Sequence, residues 1–200
     1  MIEVDLRKKL GVLDISASLN DHGLISVFGK NGSGKTSTLL MISGFLKHDQ
    51  GYVRINSRDV TMLPPQKRSV IYLNQETYFP NMSVDAHIQR GMRKPNGDVS
   101  ADIDRMRSLM GIDFDGKVRN LSMGQRIRVS IATALINAPE LMAVDESFSN
   151  LDDKEAVLSS MKAYAAHNRI DILFVTQDRN DLDIADHAYE MTAGKTTRIF

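Results

Sequence analysis

Cysteine is absent from this sequence of 200 residues, which excludes disulfide bonds and metal sites built on thiolates. A net charge is absent as well, because 25 Lys and Arg residues balance 25 Asp and Glu residues. Bulk charge therefore gives no reason to expect nucleic acid as a partner. No apolar run approaches the ~20 residues of a membrane-spanning helix. We expect a soluble protein, compatible with the cytosol, that would reach a membrane only through a partner.

The first residues do not resemble a signal peptide, because apolar and acidic residues alternate from Ile2 to Asp5. The sequence shows no internal repeat and no low-complexity tract. A chain of 200 residues can bury a substantial core and suits one domain. We therefore expect residues 1–200 to form a single domain with a subdomain.

The most informative stretch is a glycine-rich motif between a predicted strand (residues 24–28) and a predicted helix. Residues 29–36 read Gly-Lys-Asn-Gly-Ser-Gly-Lys-Thr and fit G-x-x-x-x-G-K-[ST], the phosphate-binding loop. The alternative is a glycine-rich turn with an exposed lysine, but the flanking strand and helix favour nucleotide binding. The predicted binding residues are Gly29, Lys30, Asn31, Gly32, Ser33, Gly34, Lys35, Thr36 and Ser37.

The residue types of this motif suit a polyphosphate. Glycines let the backbone curl with its N–H groups inward, and the following helix adds the positive end of its dipole. Lys35 can reach the β- and γ-phosphates as a point charge, and the Thr36 hydroxyl can ligate Mg²⁺.

Apolar strands alternate with helices, which predicts a parallel α/β core with right-handed crossovers. We expect core strands at residues 24–28, 69–73, 141–144 and 172–175, and antiparallel flanking strands at 2–6, 13–19 and 52–55. Residues 20–23 are predicted to form a turn, 152–168 and 178–188 to form helices, and the chain to end in a hairpin at 193–194. The core comprises about 1–82 and 139–200. A helical subdomain spans about 83–138, with breaks at 95–97 and around 111–120.

Two acidic residues, Asp145 and Glu146, follow the predicted strand at 141–144. Ligands bind at the carboxyl ends of strands in such sheets. Asp145 is placed to hold Mg²⁺, and Glu146 to orient or deprotonate the water that attacks the γ-phosphate. The alternative is an ordinary acidic loop after a strand.

A second anion site is predicted at residues 121–125, Leu-Ser-Met-Gly-Gln. Ser122 is a good N-cap for the helix that carries Ile127 and Ile131. Its hydroxyl, the Gly124 amide and the helix dipole can together bind an anion, although an ordinary capped helix would show the same residues. Since the chain already has a phosphate loop, two chains would sandwich ATP head to tail.

With this segment, the whole chain resembles the nucleotide-binding subunit of ABC (ATP-binding cassette) transporters, whose signature reads LSGGQ. Residues 29–36 match Walker A, Gln75 the Q-loop, 121–125 the signature, 143–146 Walker B and 149–152 the D-loop, in the family's order. Pro-Pro-Gln-Lys-Arg at 64–68 and Phe-Pro-Asn-Met-Ser-Val at 79–84 are similar to the molybdate/tungstate/sulfate-type importer ATPases.

The resemblance implies a P-loop NTPase (RecA-like) core with an antiparallel β flank and a helical signature subdomain. It implies ATP and Mg²⁺ as cofactors, with ATP hydrolysed between the Walker A of one chain and the signature of a second copy. The implied catalytic residues are Glu146, Lys35 and Gln177, the metal ligands are Thr36, Gln75 and Asp145, and Gln75, Ser122, Gly124 and Gln125 also bind the nucleotide.

The resemblance further implies a membrane permease as partner, possible oxyanion import, and a location on the cytoplasmic face of the membrane. Residues 76–90 would contact the permease through Tyr78, Phe79 and Met82. The alternative is that these side chains pack internally. Importers of this type often carry a C-terminal regulatory domain, which we expect to be absent because the sequence stops at Phe200.

Three positions depart from the family pattern. Gln177 stands where the family has a switch His, and it cannot take a proton. Residues 1–27 contain no aromatic residue, so adenine contacts are expected from aliphatic residues near 9–12, with weak discrimination between ATP and GTP. Met123 replaces a signature glycine, but the Gly124 amide is kept.

Two other functions remain open at the level of sequence. One is a soluble ABC ATPase that acts on nucleic acid or ribosomes, although those usually have two cassettes, a zinc hook or a long coiled coil. The other is a nucleotide-responsive module with slow turnover, which the Gln177 substitution supports.

Overall fold

The chain, described here as a computed structural model, contains one mixed ten-stranded sheet with helices packed against it. The structure describes residues 1–93, 98–146, 151 and 153–200. The strands are β1 (Ile2–Leu10), β2 (Leu13–Asp21), β3 (Leu24–Phe28), β4 (Gln50–Ile55), β5 (Arg58–Asp59), β6 (Val70–Leu73), β7 (Leu141–Asp145), β8 (Asp171–Thr176), β9 (His187–Thr192) and β10 (Lys195–Arg198). The helices are α1 (Lys35–Ser43), α2 (Val84–Arg90), α3 (Val99–Leu109), α4 (Met123–Ile136) and α5 (Lys154–Asn168), with 3₁₀ turns at Pro65–Lys67, Val118–Asn120 and Arg179–Leu182.

The strand order across the sheet is β5-β4-β1-β2-β10-β9-β3-β8-β7-β6. Strands β9, β3, β8, β7 and β6 are parallel, whereas β1, β2, β4 and β5 pair antiparallel. Strand β10 joins the two parts, because it pairs antiparallel with β9 and meets β2 at Lys195 and Ser16. The predicted antiparallel flank is therefore continuous with the parallel core.

Two apolar clusters lie on opposite faces of the central strands. In β7, Leu141 and Ala143 pack with α1 and the flanking strands, while Met142 and Val144 pack with α2, α3, α4 and α5. Burial on both faces explains why β7 and β8 read as continuous apolar runs. It also fixes the carboxyl end of β7, where Asp145 and Glu146 follow.

The predicted helix at 178–188 is wrong. Only Arg179–Leu182 forms a 3₁₀ turn, and β9 begins at His187, so His187 is a strand residue rather than a surface helix residue. The Asp186 carboxylate accepts the Leu24 N–H at 2.9 Å. This long-range bond holds the segment beside β3 in the sheet, and no local sequence pattern predicts it.

The predicted turn at 20–23 is also too long, because β2 continues through Asp21. Asp21 is 7 % exposed and accepts hydrogen bonds from Tyr189 and Arg198. Those partners, distant in sequence, hold in the sheet a residue type that usually favours turns.

Two predictions fall outside the described residues: the helix break at 95–97, and the D-loop apart from Leu151. The first helical residue of α5 is Lys154 rather than residue 152. The division into a core and a helical subdomain stays a prediction, although α2, α3 and α4 all fall between residues 83 and 138. Within the described ranges, no helix has both the length and the apolar character needed to cross a bilayer.

Candidate functional site

The phosphate loop connects β3 to α1 and depends on its glycines. A Cβ at Gly29 would lie 2.4 Å from the Met191 carbonyl oxygen and 2.9 Å from Ser33 Oγ. Gly34 has a φ of 108° and serves as the N-cap of α1 without a side-chain capping bond. The first amides of α1 are thus left for another acceptor, which is the condition for an anion site.

Lys35 lies folded over this loop and is 4 % exposed. Its ammonium donates to the carbonyl oxygens of Gly29 at 2.7 Å and Lys30 at 3.0 Å. The same nitrogen lies 3.4 Å from Glu146 Oε1. Lys35 is therefore placed between the phosphate loop and the acidic end of β7.

Asp145 lies at the end of β7 and is held by two hydroxyl groups. Its Oδ1 accepts from Thr36 Oγ1 at 3.1 Å and its Oδ2 from the Tyr72 hydroxyl at 2.8 Å. Burial, reinforced by the Asp145 carboxylate, raises the pKa of Tyr72, so this phenol stays protonated and keeps donating. Tyr72 is a site residue that the sequence analysis missed.

Glu146 is surrounded by the other predicted catalytic residues. Its Oε1 accepts from Gln177 Nε2 at 3.0 Å, and Gln75 Nε2 donates to its backbone carbonyl at 3.3 Å. Its φ is 44°, which is uncommon for a residue other than glycine. Three distant segments therefore converge on Glu146: the phosphate loop, the Q-loop and the end of β8.

The donor set fits a magnesium ion and a phosphate. Thr36 Oγ1 and Asp145 Oδ1, 3.1 Å apart, are hard oxygen ligands of the type that Mg²⁺ prefers. The amide nitrogen of Gln75 points to Glu146, so its role as a metal ligand stays a prediction. Ser33 Oγ is buried and, among the described residues, is one of three buried polar side-chain atoms without a hydrogen-bond partner.

The signature segment forms the N-terminus of α4. Ser122 and Gln125 make a capping box, in which Gln125 N donates to Ser122 Oγ at 3.2 Å and Ser122 N to Gln125 Oε1 at 3.0 Å. The predicted N-cap is confirmed. In the described part of the chain, the side-chain hydrogen bonds of Ser122 and Gln125 stay within this segment. The single chain therefore does not join the signature to its own phosphate loop by these bonds.

The hairpin between β1 and β2 closes the other side of the phosphate loop. A cavity of about 330 Å³ is lined by Leu10 and Leu13 together with Asn31, Thr36 and Ser37 of the loop region. Val12 at the hairpin tip is fully exposed. Leu10, within the range expected for adenine contacts, and Leu13, just beyond it, thus border the phosphate loop, and their contact with adenine stays a prediction.

The loop at residues 76–82, which we call the docking loop, is partly exposed. Phe79 is 47 % exposed, whereas Tyr78 packs against the apolar cluster of α2 and α4. An apolar cavity of about 360 Å³ lies behind it, lined by Leu73, Tyr78, Phe79, Ala134 and other side chains. The prediction that Tyr78, Phe79 and Met82 line a partner contact is not tested, and Tyr78 is already engaged within the chain.

A cluster of charged and hydroxyl side chains holds the residues on either side of Gln177. Lys154 of α5 pairs with Asp178 at 3.1 Å and with Asp181, and Thr176 Oγ1 bonds to Asp181 Oδ2. These bonds fix the segment that follows β8. Sequence reasoning missed Lys154, because nothing in the local pattern brings α5 to residues 178–181.

A family model described as "ABC transporter" matches residues 12–149, which is more than half of the chain. The molybdate/tungstate import ATP-binding protein WtpC of Pyrococcus abyssi is 31 % identical over 96 % of this chain and 58 % of its own length. The molybdenum import ATP-binding protein ModC of Shewanella sp. is 30 % identical over 98 % of the chain and 57 % of its own. The spermidine/putrescine import ATP-binding protein PotA of Fusobacterium nucleatum is 31 % identical over 93 % of this chain and 52 % of its own length.

The fold is similar to that of solved ATP-binding cassettes. A dimeric post-hydrolysis state of the cassette MJ0796, bound to ADP and Pi, superposes with a TM-score of 0.83 at 21 % identity and covers 99 % of this chain and 97 % of its own. A nucleotide-free cassette from an ABC transporter superposes with a TM-score of 0.78 at 22 % identity and covers 98 % of this chain and 89 % of its own. The sequenced relatives are longer, and the chain spans less than three fifths of those named above.

Proposed function

Because the chain belongs to the ABC transporter family, we propose that it binds MgATP and hydrolyses it by in-line attack of water on the γ-phosphate. Positioning and charge neutralisation supply most of the catalysis in such reactions. Glu146 acts as the base, Lys35 neutralises the terminal phosphates, and Gln177 positions Glu146. When bound, Mg²⁺ would be held by Thr36 and Asp145, with Gln75 as a further candidate, and would neutralise charge on the β- and γ-phosphates.

One observation carries this proposal: Glu146 Oε1 lies 3.4 Å from Lys35 Nζ and 3.0 Å from Gln177 Nε2. A base, a phosphate-binding cation and a hydrogen-bonding amide thus meet at the mouth of a glycine-rich loop. A structural ion pair would need Lys35 and Glu146 alone. Gln177 and Gln75, which reach the same residue from two other segments, favour a reaction site.

We infer that hydrolysis takes place between two copies of this chain, related head to tail. The capped N-terminus of α4 offers an anion site through the Gly124 amide and the helix dipole, and Ser122 and Gln125 belong to this site. The phosphate loop of one copy and the signature of the other would then enclose one ATP.

The mechanical output would drive a membrane permease that contacts residues 76–90. Relatives named as molybdate, tungstate and spermidine/putrescine import proteins support an import system, with oxyanions as one class of cargo. In that role the chain would bind peripherally to the cytoplasmic face of the membrane. The exposed Phe79 is the docking-loop residue best placed for the contact.

Base recognition would rest on Leu10 and Leu13, which border the phosphate-loop cavity. Aliphatic contacts do not distinguish the hydrogen-bonding edges of adenine and guanine. Turnover of GTP within about 200-fold of ATP is therefore expected, since apolar contacts alone discriminate by only about 1–3 kcal/mol.

The substitution Glu146→Gln tests the mechanism directly. It removes the base while keeping the size of the side chain and a carbonyl oxygen that can accept a hydrogen bond. We expect ATP binding within a few-fold of the native chain, hydrolysis reduced at least about 100-fold, and accumulation of an ATP-bound dimer in gel filtration. A monomeric Glu146→Gln variant with native turnover would contradict both the base assignment and the dimer.

The second candidate, a nucleotide-responsive module with slow turnover, is favoured by Gln177 in place of a titratable residue. A steady-state phosphate-release assay decides between the two. Turnover above about 0.1 per second, against a median near ~10 per second for enzymes in general, would favour the ATPase. ATP binding and dimerisation without measurable release would favour the module.

A further inference from the structure

His87 of α2 is a buried histidine that the proposed reaction does not use. It is 2 % exposed, and both ring nitrogens have partners. Nε2 lies 3.0 Å from the backbone nitrogen of Phe79 in the docking loop. Nδ1 lies 2.7 Å from Thr133 Oγ1 of α4. The ring therefore connects the loop to α4.

The Phe79 contact determines the protonation state of the ring. A backbone N–H can only donate, so Nε2 must be an unprotonated acceptor. In a neutral imidazole the proton then resides on Nδ1 and is donated to Thr133 Oγ1. The Thr133 hydroxyl in turn donates to the Val129 carbonyl oxygen at 2.8 Å, with the His87 carbonyl oxygen at 3.2 Å as a second acceptor. Each of these hydrogen bonds, from Phe79 N to His87, from His87 to Thr133 and from Thr133 onward, therefore contains one proton.

A second proton on the ring would break this arrangement. It would place the Nε2–H of His87 against the N–H of Phe79, 3.0 Å between nitrogens, where both groups are donors. No ion pair of His87 offsets the added charge among the described residues. Burial accordingly lowers the pKa of His87.

The charged groups around His87 are engaged elsewhere or face solvent. On α2, Asp85 pairs with Arg107 at 2.6 Å and Arg90 is exposed. On α4, Arg126 lies over the Tyr78 ring, 5.2 Å from its centroid. Glu76 lines the same cavity as His87 but is exposed. Water screens its charge, so it compensates little for an imidazolium.

The other side-chain attachments of the start of the docking loop to α4 do not involve a histidine. Ser130 Oγ donates to the Thr77 carbonyl at 2.8 Å, and Arg126 Nη1 to the Tyr78 hydroxyl at 3.3 Å. These bonds hold the start of the loop. The N–H of Phe79, whose ring is exposed and lies 5.3 Å from the His87 ring, depends on His87. The residues after it are held by backbone bonds, from Arg119 N to the Pro80 carbonyl and from Val118 N to the Met82 carbonyl, both at 3.0 Å.

We propose that His87 is an acid-sensitive latch on the docking loop: the neutral ring holds Phe79 in place, and protonation releases it. The consequence for a partner rests on the proposed docking role of this loop, whereas the latch itself does not. The His87 ring binds a second proton less tightly when the latch is closed than when the loop is open. The free energy of closure is therefore independent of pH above the ordinary histidine pKa of about 6.5 and decreases as the pH falls below it.

The first experiment is an NMR titration of the full chain from pH 8 to pH 5. At pH 8 we expect the tautomer with the proton on Nδ1, read from the ring nitrogen shifts. The Phe79 amide signal should then shift with the same midpoint as the His87 ring. A proton on Nε2 at pH 8 would overturn the proposal. A Phe79 amide signal that stayed fixed while the His87 ring changed its protonation state would also overturn it.

A matched variant separates titration from packing. In His87→Gln the side-chain oxygen can still accept the Phe79 N–H, but it does not bind a proton in this pH range. We expect the Phe79 amide to keep its pH 8 position down to pH 5 in this variant. A Phe79 titration that persists unchanged in His87→Gln would overturn the proposal.

The second experiment uses the absence of tryptophan from the sequence. Phe79→Trp provides a single tryptophan, which can be excited apart from the tyrosines, and it keeps the backbone donor. Acrylamide quenching at pH 5.5 should be at least about twofold faster than at pH 8, and it should not change in the double variant with His87→Gln. Equal quenching at both pH values in the single variant would refute release of the loop. Neither readout needs nucleotide, so failure of the ATPase assays and failure of the latch are distinguishable.

Discussion

At the scale of single residues, the function of Glu146 depends on the side chains that hold it. Gln177 Nε2 donates to Glu146 Oε1 at 3.0 Å, and Lys35 approaches the same oxygen. Gln177 is exposed and lies at the end of β8, so its orientation is supported by the ion pairs of Lys154 with Asp178 and Asp181. Because a side-chain amide neither gains nor loses a proton near neutral pH, Gln177 can position the base but cannot take part in proton transfer.

Substitution of Gln177 is expected to change turnover and its pH dependence. Gln177→Ala removes the bond that orients Glu146 and should lower kcat by about 10- to 100-fold, with little effect on the KM for ATP. Gln177→His restores a donor with an ordinary pKa near ~6.5. It should add to kcat a pH-dependent step, between about pH 6 and 7, that the native chain lacks. Steady-state phosphate release against pH measures both.

The interpretation of Gln177 has a clear contrary outcome. If Gln177→Ala turned over ATP as fast as the native chain, the observed bond to Glu146 would have no role in positioning. If Gln177→His gave no gain and no new pH step, the missing histidine would not matter for this chain.

At the scale of elements, helix α1 is completed at its two ends by different means. Its N-terminus has no side-chain cap and faces the phosphate loop. Its C-terminal turn is capped by Arg68, which is 4 % exposed and donates to the carbonyl oxygens of Met41 at 3.0 Å and Ile42 at 2.8 Å. Burial lowers the pKa of this guanidinium, but the ordinary value is so high that it stays charged.

We expect Arg68→Met to destabilise the fold by about 3 kcal/mol or more. The loss would remove the Arg68 donor from the carbonyl oxygens of Ile42, Thr61 and Leu63, and would leave Met41 with only the Gly44 N–H at 3.2 Å. The free energy of unfolding in urea measures this. Lys67→Met is the matched control, because Lys67 is exposed and should change stability by less than about 0.5 kcal/mol. Equal stability of the two variants would contradict the capping role.

At the scale of the whole molecule, the antiparallel flank and the parallel core meet at a narrow seam. Strand β10 pairs with β2 at one register position, Lys195 with Ser16. Side chains reinforce the seam, since the buried Asp21 of β2 accepts from Tyr189 of β9 and from Arg198 of β10 at 2.9 Å. Burial raises the pKa of Tyr189, so its hydroxyl remains a donor throughout the neutral range.

Removal of one hydroxyl group should weaken this seam. Tyr189→Phe loses a hydrogen bond to a buried carboxylate and is expected to cost about 1.5–3 kcal/mol of unfolding free energy. Tyr52→Phe is the control, because Tyr52 is half-buried and contributes its ring to a contact with Arg54. It should change stability by less than about 0.5 kcal/mol. A loss for Tyr189→Phe no larger than for the control would mean that the Tyr189 hydroxyl does not stabilise the seam.

The sequence by itself determined the features that depend on contiguous residues. The phosphate loop, the Ser122 cap and the apolar strand before Asp145 could be predicted, because a turn, a cap or a fully buried strand is specified by neighbours in the chain. The family resemblance added Gln75 and Gln177, each at a position that the fold brings to Glu146.

Only the tertiary structure decided how distant segments meet. The helix predicted at 178–188 became a short turn and a strand, because the bond between Asp186 and Leu24 draws that segment into the sheet. Three further contacts join residues far apart in sequence: Tyr72 with Asp145, Lys154 with Asp178 next to Gln177, and His87 with Phe79. The physical reason is that packing fixes such contacts, and packing outweighs local propensity wherever a residue is buried by partners from elsewhere in the chain.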